Sequence, residues 1–185
     1  MTLPLPDPPA LDRLPPTIVH AALMRGDLVR CGPGVRPVGW PDSPRVRAHA
    51  LSGRLTHGRI ASHLTAAWVW GAARRTGPAL YATVPDRRRR EPTRDAGLTL
   101  THRPCPERDR VRFGAIAVTT PRRTLIDLIH DAATDGEPEF PLPSLIACRV
   151  LAAGIPGGVR TIPDHELRSG RSTSLRRIAE RLARL

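Results

Sequence analysis

The sequence predicts an α+β fold: a partial winged helix-turn-helix, then a small mixed sheet covered by helices, then a C-terminal amphipathic helix. Three observations predict it. A helical pattern over 14–25 runs directly into a basic, glycine-turned hairpin pattern over 27–38. Between 62 and 131, capped helical stretches are separated by short runs of β-type alternation, as in a layered α+β domain. Over 172–185, Leu175, Ile178, Leu182 and Leu185 form one seam of a helix, with Arg176, Arg177, Arg181 and Arg184 on its other face. The expected divisions are a proline-rich arm (1–13), a partial winged-helix module (14–42) and an α+β domain with C-terminal helices (43–185), which 185 residues can accommodate.

Each element has its own signal. Residues 1–12 are rich in proline and read as an extended or disordered arm. Pro15 and Pro16 suit the first turn of a helix, where a missing N–H costs little. Ile18, Val19, Ala22 and Leu23 then recur at helical spacing, and Gly26 ends the run. Asp27-Leu28-Val29-Arg30-Cys31, a turn at Gly32-Pro33-Gly34, and Val35-Arg36-Pro37-Val38 read as a β-hairpin. After a linker at 40–44, a short helix is expected over 46–51 and ends near Gly53.

Ser62 reads as the N-cap of the next helix. Leu64, Ala67 and Trp68 line one of its faces, and Ala66, Val69 and Trp70 another, so the helix and its tryptophans belong in a core. Strands are expected over 79–84 and at Leu98, Leu100 and His102. A third begins with Val111 and Phe113 and continues past Gly114 over 115–118. Thr120 caps a helix with Pro121 at its first position and Leu125, Leu128 and Ile129 in its stripe. An acidic loop over 134–141 leads to an apolar helix over 144–153, closed by Gly154 and Pro156.

Composition narrows the function. All 29 basic side chains are arginine, against 17 acidic ones, for a net charge of +12. Replacement of lysine by arginine is a matter of coding; the surplus itself favours polyanionic partners, with nucleic acid first. An apolar run of about 18 residues, needed to span a bilayer, is absent. The N-terminus lacks the basic start and apolar stretch of a secretory signal, so a cytoplasmic protein is expected. Cys31, Cys105 and Cys148 are odd in number and far apart, and read as reduced, buried residues.

A helix followed at once by a basic hairpin is the second half of a winged helix-turn-helix, the helix in the major groove and the hairpin on the backbone. Sequence preference would then come from Thr17, His20, Ala21, Met24 and Arg25, with Arg30 and Arg36 of the hairpin beside them. The run Arg87, Arg88, Arg89 and Arg90 is read either as a phosphate contact, helped by Arg74, Arg75 and Arg94, or as a solvated loop.

Signals for catalysis are sparse. The 7 histidines form no H-x-x-x-H and join no cysteine pair, so neither a metal nor another cofactor is expected. Ser62-His63 is set aside as a nucleophilic pair, because adjacent residues at a helix start point apart and no Gly-x-Ser-x-Gly elbow exists. His63 and His102 are read as structural. Asp127 and Asp131 stand i, i+4 on one helix and are read as solvated surface rather than as a cation site. The chain is therefore expected not to be an enzyme.

Four phrases carry a family resemblance. They are Ser62-His63-Leu64-Thr65-Ala66-Ala67-Trp68-Val69-Trp70-Gly71, then Ala82-Thr83-Val84-Pro85, then Leu98-Thr99-Leu100-Thr101-His102-Arg103, then Ala117-Val118-Thr119-Thr120-Pro121-Arg122-Arg123-Thr124-Leu125-Ile126-Asp127-Leu128. Their order and spacing resemble the core of the AbiEi-type antitoxins, the DNA-binding halves of abortive-infection type IV toxin–antitoxin pairs. Gly26-Asp27-Leu28-Val29-Arg30 and Gly34-Val35 resemble that family's wing. The family places two more helices ahead of this point, which thirteen proline-rich residues cannot make. The resemblance implies a transcriptional regulator that binds double-stranded promoter repeats, represses its own operon and counteracts a nucleotidyltransferase-type toxin. A non-specific nucleic-acid-binding remnant is the first alternative. The other is the non-catalytic N-terminal part of a Vsr-like endonuclease, since a related actinobacterial group joins a similar core to such a domain.

Overall fold

The computed structural model describes residues 8–55, 58–84, 97–132, 141–163 and 165–167. Among them the chain is α+β, with five α-helices, a two-stranded sheet and a mixed five-stranded sheet. The expected C-terminal helix, most of the 134–141 loop and most of the N-terminal arm lie outside the described residues.

Helix α1 (Pro16–Arg25) starts with proline in its first turn and stops at Gly26, whose left-handed backbone (φ 80°) lets its N–H bond back to Ala22 and Leu23. Strands β1 (Leu28–Cys31) and β2 (Gly34–Pro37) then pair antiparallel from Leu28↔Pro37 to Cys31↔Gly34, around a loop of Gly32 and Pro33. The hairpin is seated on the body by one face. Leu28 and Cys31 are buried, while Arg30 points to solvent. At its tip only glycine fits: a Cβ on Gly32 would lie 2.6 Å from Cζ2 of Trp68, and one on Gly34 would lie 2.5 Å from the carbonyl oxygen of Ala50.

Helix α2 (Pro44–His49) is capped by the Ser43 hydroxyl, which accepts the N–H of Val46, and so begins two residues before the apolar pattern suggests. Strand β3 (Ile60–Ala61) is only two residues long, yet it is the middle strand in the order β5-β4-β3-β7-β6. It pairs antiparallel with β4 (Leu80–Thr83) and parallel with β7 (Ile116–Thr119); β4 pairs parallel with β5 (Leu98–Thr101). The expected single third strand is two strands: β6 (Arg110–Phe113) turns back at Gly114, φ 60°, into antiparallel β7. His102 falls beyond β5 and is exposed.

Helix α3 (His63–Val69) follows β3, and every one of its residues is buried, as apolar character on both faces requires. It packs against α2, β4, β7, α4 (Pro121–Ala132) and α5 (Leu142–Ala153). Helix α4 is capped as expected, the N–H of Arg123 bonding to the Thr120 hydroxyl, with Leu125, Leu128 and Ile129 in the core. Helix α5 starts at Leu142, with Pro143 tolerated in its first turn. Trp68 is buried, and Trp70 donates its indole N–H to the carbonyl of Thr119 at 2.7 Å. Cys31, Cys105 and Cys148 are all free and buried.

The hairpin tip supplies a test. Gly32→Ala places a methyl against the Trp68 ring in a left-handed backbone (φ 55°), which should lower unfolding free energy by about 2–4 kcal/mol. Gly39→Ala, where nothing lies within 4 Å, should stay within about 1 kcal/mol of the parent. Urea unfolding of both variants measures the contrast; equal effects would mean the tip is not packed on Trp68.

Candidate nucleic-acid interface

The exposed part of the module is the outer face of α1 together with the outer face of the hairpin. Turn geometry joins them: the N–H of Asp27 bonds to Ala22 at 2.9 Å, and that of Val38 bonds to the carbonyl of Asp27 at 3.0 Å. On α1, Ala22 is buried and Val19 and Leu23 are half-buried, so these face the body. Thr17, His20, Met24 and Arg25 are exposed and Ala21 is half-buried. Their spacing of three and four residues puts Thr17, His20, Ala21 and Met24 on one face. Ile18, the first residue of the expected apolar pattern, is 52% exposed on this side, and Met24 is 76% exposed. Ile18 was not among the expected contact residues; helical spacing alone could not show that α1 has a neighbour on one side only.

The arginines differ in availability. Arg25 pairs with Asp27, Nε to Oδ2 at 2.8 Å, in an exposed setting where such a pair contributes little. Arg30 is exposed on β1 and makes no ion pair among the described residues. Arg36 is half-buried, and its guanidinium donates to the carbonyls of Pro37 and Trp40, so it braces the end of the hairpin more than it reaches outward. Arg74 and Arg75 are exposed after α3. Arg87, Arg88, Arg89, Arg90 and Arg94 lie outside the described residues. Between 16 and 38 there are three arginines against one aspartate, so most of the net +12 is carried elsewhere on the chain.

A second set of functional-type residues lies in the body, away from this surface. Ser62 and His63 do meet, Oγ to Nδ1 at 2.9 Å, contrary to the expectation that they point apart. The cause is the backbone of His63, a non-glycine residue at φ 48°, which turns the ring back onto its neighbour. The Ser62 hydroxyl is thereby diverted from capping α3. Ser62 is fully buried, so no substrate can reach it as a nucleophile. Nearby, the His63 ring stands 5.7 Å from Tyr81.

Asp127, expected at the surface, is buried at 1% exposure. Its Oδ1 accepts from Nε of Arg123 at 2.9 Å; Arg123 also donates to Asp109 at 3.1 Å and to the carbonyl of Pro104 at 2.9 Å. Oδ2 of Asp127 is buried without a protein hydrogen bond. Asp131, one turn on, is exposed. Thr119 and Thr124 complete a polar seam, their hydroxyls 2.7 Å apart. Among the described residues no group of three or more His, Cys, Asp or Glu side chains is placed to hold a metal. Arg123 ties the 104–109 segment to α4, and this seam reads as structural.

Burial pushes the His63 imidazole below its ordinary value, more strongly than Asp127 and Asp131 pull it up. Burial likewise lowers His130, whose ring nitrogen lies 3.0 Å from the carbonyl oxygen of Glu166. Among the described residues, no helix is long and apolar enough to cross a membrane. No protein-family model, no curated protein and no solved structure matches this chain.

The two histidines set a pH dependence. Both are depressed in the fold, so above pH 6.5 neither state binds their protons, and below it the unfolded chain binds them first. Stability should fall as pH drops below 6.5, by at most about 1.4 kcal/mol per pH unit for each histidine. The carboxylates of Asp42 and Glu166, lowered by Arg47 and Arg122, act in a separate window: their contribution is lost near and below their ordinary values of 3.8 and 4.5. His63→Gln should flatten the urea-unfolding slope between pH 6.5 and 5 while leaving the acid window in place. An unchanged slope would show that His63 is not buried neutral.

Proposed function

We propose that this chain is an AbiEi-like DNA-binding regulator without catalysis of its own, which represses its own operon and counteracts a nucleotidyltransferase-type toxin. The carrying observation is that α1 leaves Thr17, His20, Ala21 and Met24 together on an open face, with the exposed Arg30 of the hairpin next in the chain. A helix ten residues long, exposed on that side among the described residues, can enter a major groove; the hairpin beside it can follow the phosphates. The AbiEi-type phrases support the antitoxin half of this reading.

Contact with the duplex divides by type. Thr17, His20, Ala21 and Met24 would read base edges, Ala21 and Met24 through apolar contact with thymine methyls. Arg25 and Arg30 would hold phosphates and fix the register. Arg36 acts mainly by stiffening the ribbon. Arg87, Arg88, Arg89 and Arg90 would add phosphate contacts that carry no sequence information.

The second reading, non-specific binding through the arginine surplus, is favoured by one specific observation. Residues 16–38 carry three arginines and one aspartate, so most of the chain's +12 lies outside α1 and the hairpin. Salt dependence separates the two. Binding confined to α1 and the hairpin should show a slope of log affinity against log salt of about −3 at most, and wider engagement of the body arginines about −6 or steeper. Fluorescence anisotropy with the promoter repeats should show a preference of about 10³ over scrambled DNA, with Met24→Ala narrowing it and Arg30→Gln weakening both DNAs alike. Equal affinity for both DNAs, with the steep slope, would leave only the non-specific reading. For the antitoxin half, co-expression should restore growth to cells making a nucleotidyltransferase encoded beside this chain; continued arrest would remove that half. Magnesium-dependent plasmid cleavage would instead point to a metal-dependent nuclease and would overturn the reading of a chain without catalysis.

A further inference from the structure

A groove of about 510 Å³ is walled by α1, the hairpin, α2 and the 8–14 segment, with His20 at the edge of the α1 face also lining it. Its size falls in the range of small-molecule sites, which are mostly apolar with a few placed polar groups. Leu23, Val35 and Val46 supply apolar wall from each of the three elements. Leu23 and Val35 are only half-buried, so apolar surface stays accessible inside a concave site. Charge in the groove is one-sided. Three arginines line it, and Asp12 is its one carboxylate. Arg36 is committed to backbone carbonyls. Arg30 and Arg54 are exposed and make no ion pair among the described residues.

Apolar walls with uncommitted guanidinium groups fit one class of ligand: a small organic acid with an apolar body, its carboxylate on Arg30 or Arg54. We infer that the groove binds such an acid, and that occupancy weakens DNA binding. The second step rests on the DNA-binding reading. Arg30 is both a groove residue and a proposed phosphate contact, so an anion beside it offsets the charge that a phosphate would meet. The coupling is reciprocal: DNA must lower affinity for the acid by the same factor.

Binding is tested on the full chain without DNA, so it stands or falls apart from the DNA-binding reading. The probes are 4-phenylbutyrate and its neutral amide, titrated while the methyl resonances of Leu23, Val35 and Val46 are followed. The acid should give saturable shifts and bind about tenfold tighter than the amide, the difference one charge-assisted contact makes. The double variant Arg30→Gln, Arg54→Gln should lower its affinity about fivefold or more, while Arg112→Gln, at an exposed arginine on β6 outside the groove, should leave it unchanged. Unsaturable shifts, equal affinity of acid and amide, or equal losses in the two variants would overturn the site. With promoter DNA present, saturating acid should reduce affinity about fivefold or more, the lower end of a typical coupling. Saturation of the groove with DNA affinity unchanged would overturn the coupling, and a free protein that ignores DNA would remove the DNA-binding reading while the methyl titration still decides the site.

Discussion

Trp68 and the helix that carries it hold the hairpin on the core. Helix α3 is buried on every side, and Trp68 projects from it under the tip of the hairpin. The contact is close enough that Gly32 and Gly34 cannot carry a Cβ without displacing Trp68 or the Ala50 backbone. Arg47 reinforces it from α2: its guanidinium donates to the carbonyl of Trp68 at 2.7 Å, lies 5.6 Å from the Trp68 ring, and is held by both oxygens of Asp42. The hairpin is therefore positioned by the core rather than by its own few hydrogen bonds, since an isolated two-stranded ribbon is marginal in water.

That anchoring has a functional consequence. A ribbon fixed by one face presents the other with little freedom, and α1 is tied to it through Gly26 and Asp27. The exposed residues of both elements form a rigid arrangement that loses little entropy on binding. Apolar exposure on α1 is large for a free surface, with Ile18 and Met24 more than half exposed; under the proposed reading these residues would meet base methyls or a partner. The polar seam around Asp127 and Arg123 ties α4 to the 104–109 segment. Its one unpaired carboxylate oxygen is the kind of buried group that an ordered water usually satisfies.

Much of the local structure was legible in the sequence because its causes are local. Pro15, Pro16 and Gly26 bracket α1, Gly32-Pro33-Gly34 turns the hairpin, and Thr120-Pro121 opens α4. The double apolar face of α3 announced its burial. What stayed hidden was set by partners distant in sequence. Strand β3 has two residues, too few for any period, and exists because β4 and β7 flank it. Gly114 read as an interruption of one strand and is a reversal between two, which only the pairing of β6 with β7 decides. Asp127 looks like a surface carboxylate until Arg123 and the 104–109 segment close over it. At the candidate interface the face of α1 was legible, but the inward commitment of Arg36 and the outward position of Ile18 depended on neighbours no periodicity encodes.

Under the proposed reading, DNA meets this protein through α1 and the outer edge of its hairpin. Amide chemical-shift mapping with a promoter duplex at moderate salt tests it most directly. Resonances of Thr17, His20, Ala21, Met24 and Arg30 should move together and saturate, while α5, which packs on α3 and α4, stays still. Shifts confined to the arginine-rich body, with α1 silent, would mean that DNA is held elsewhere on the protein.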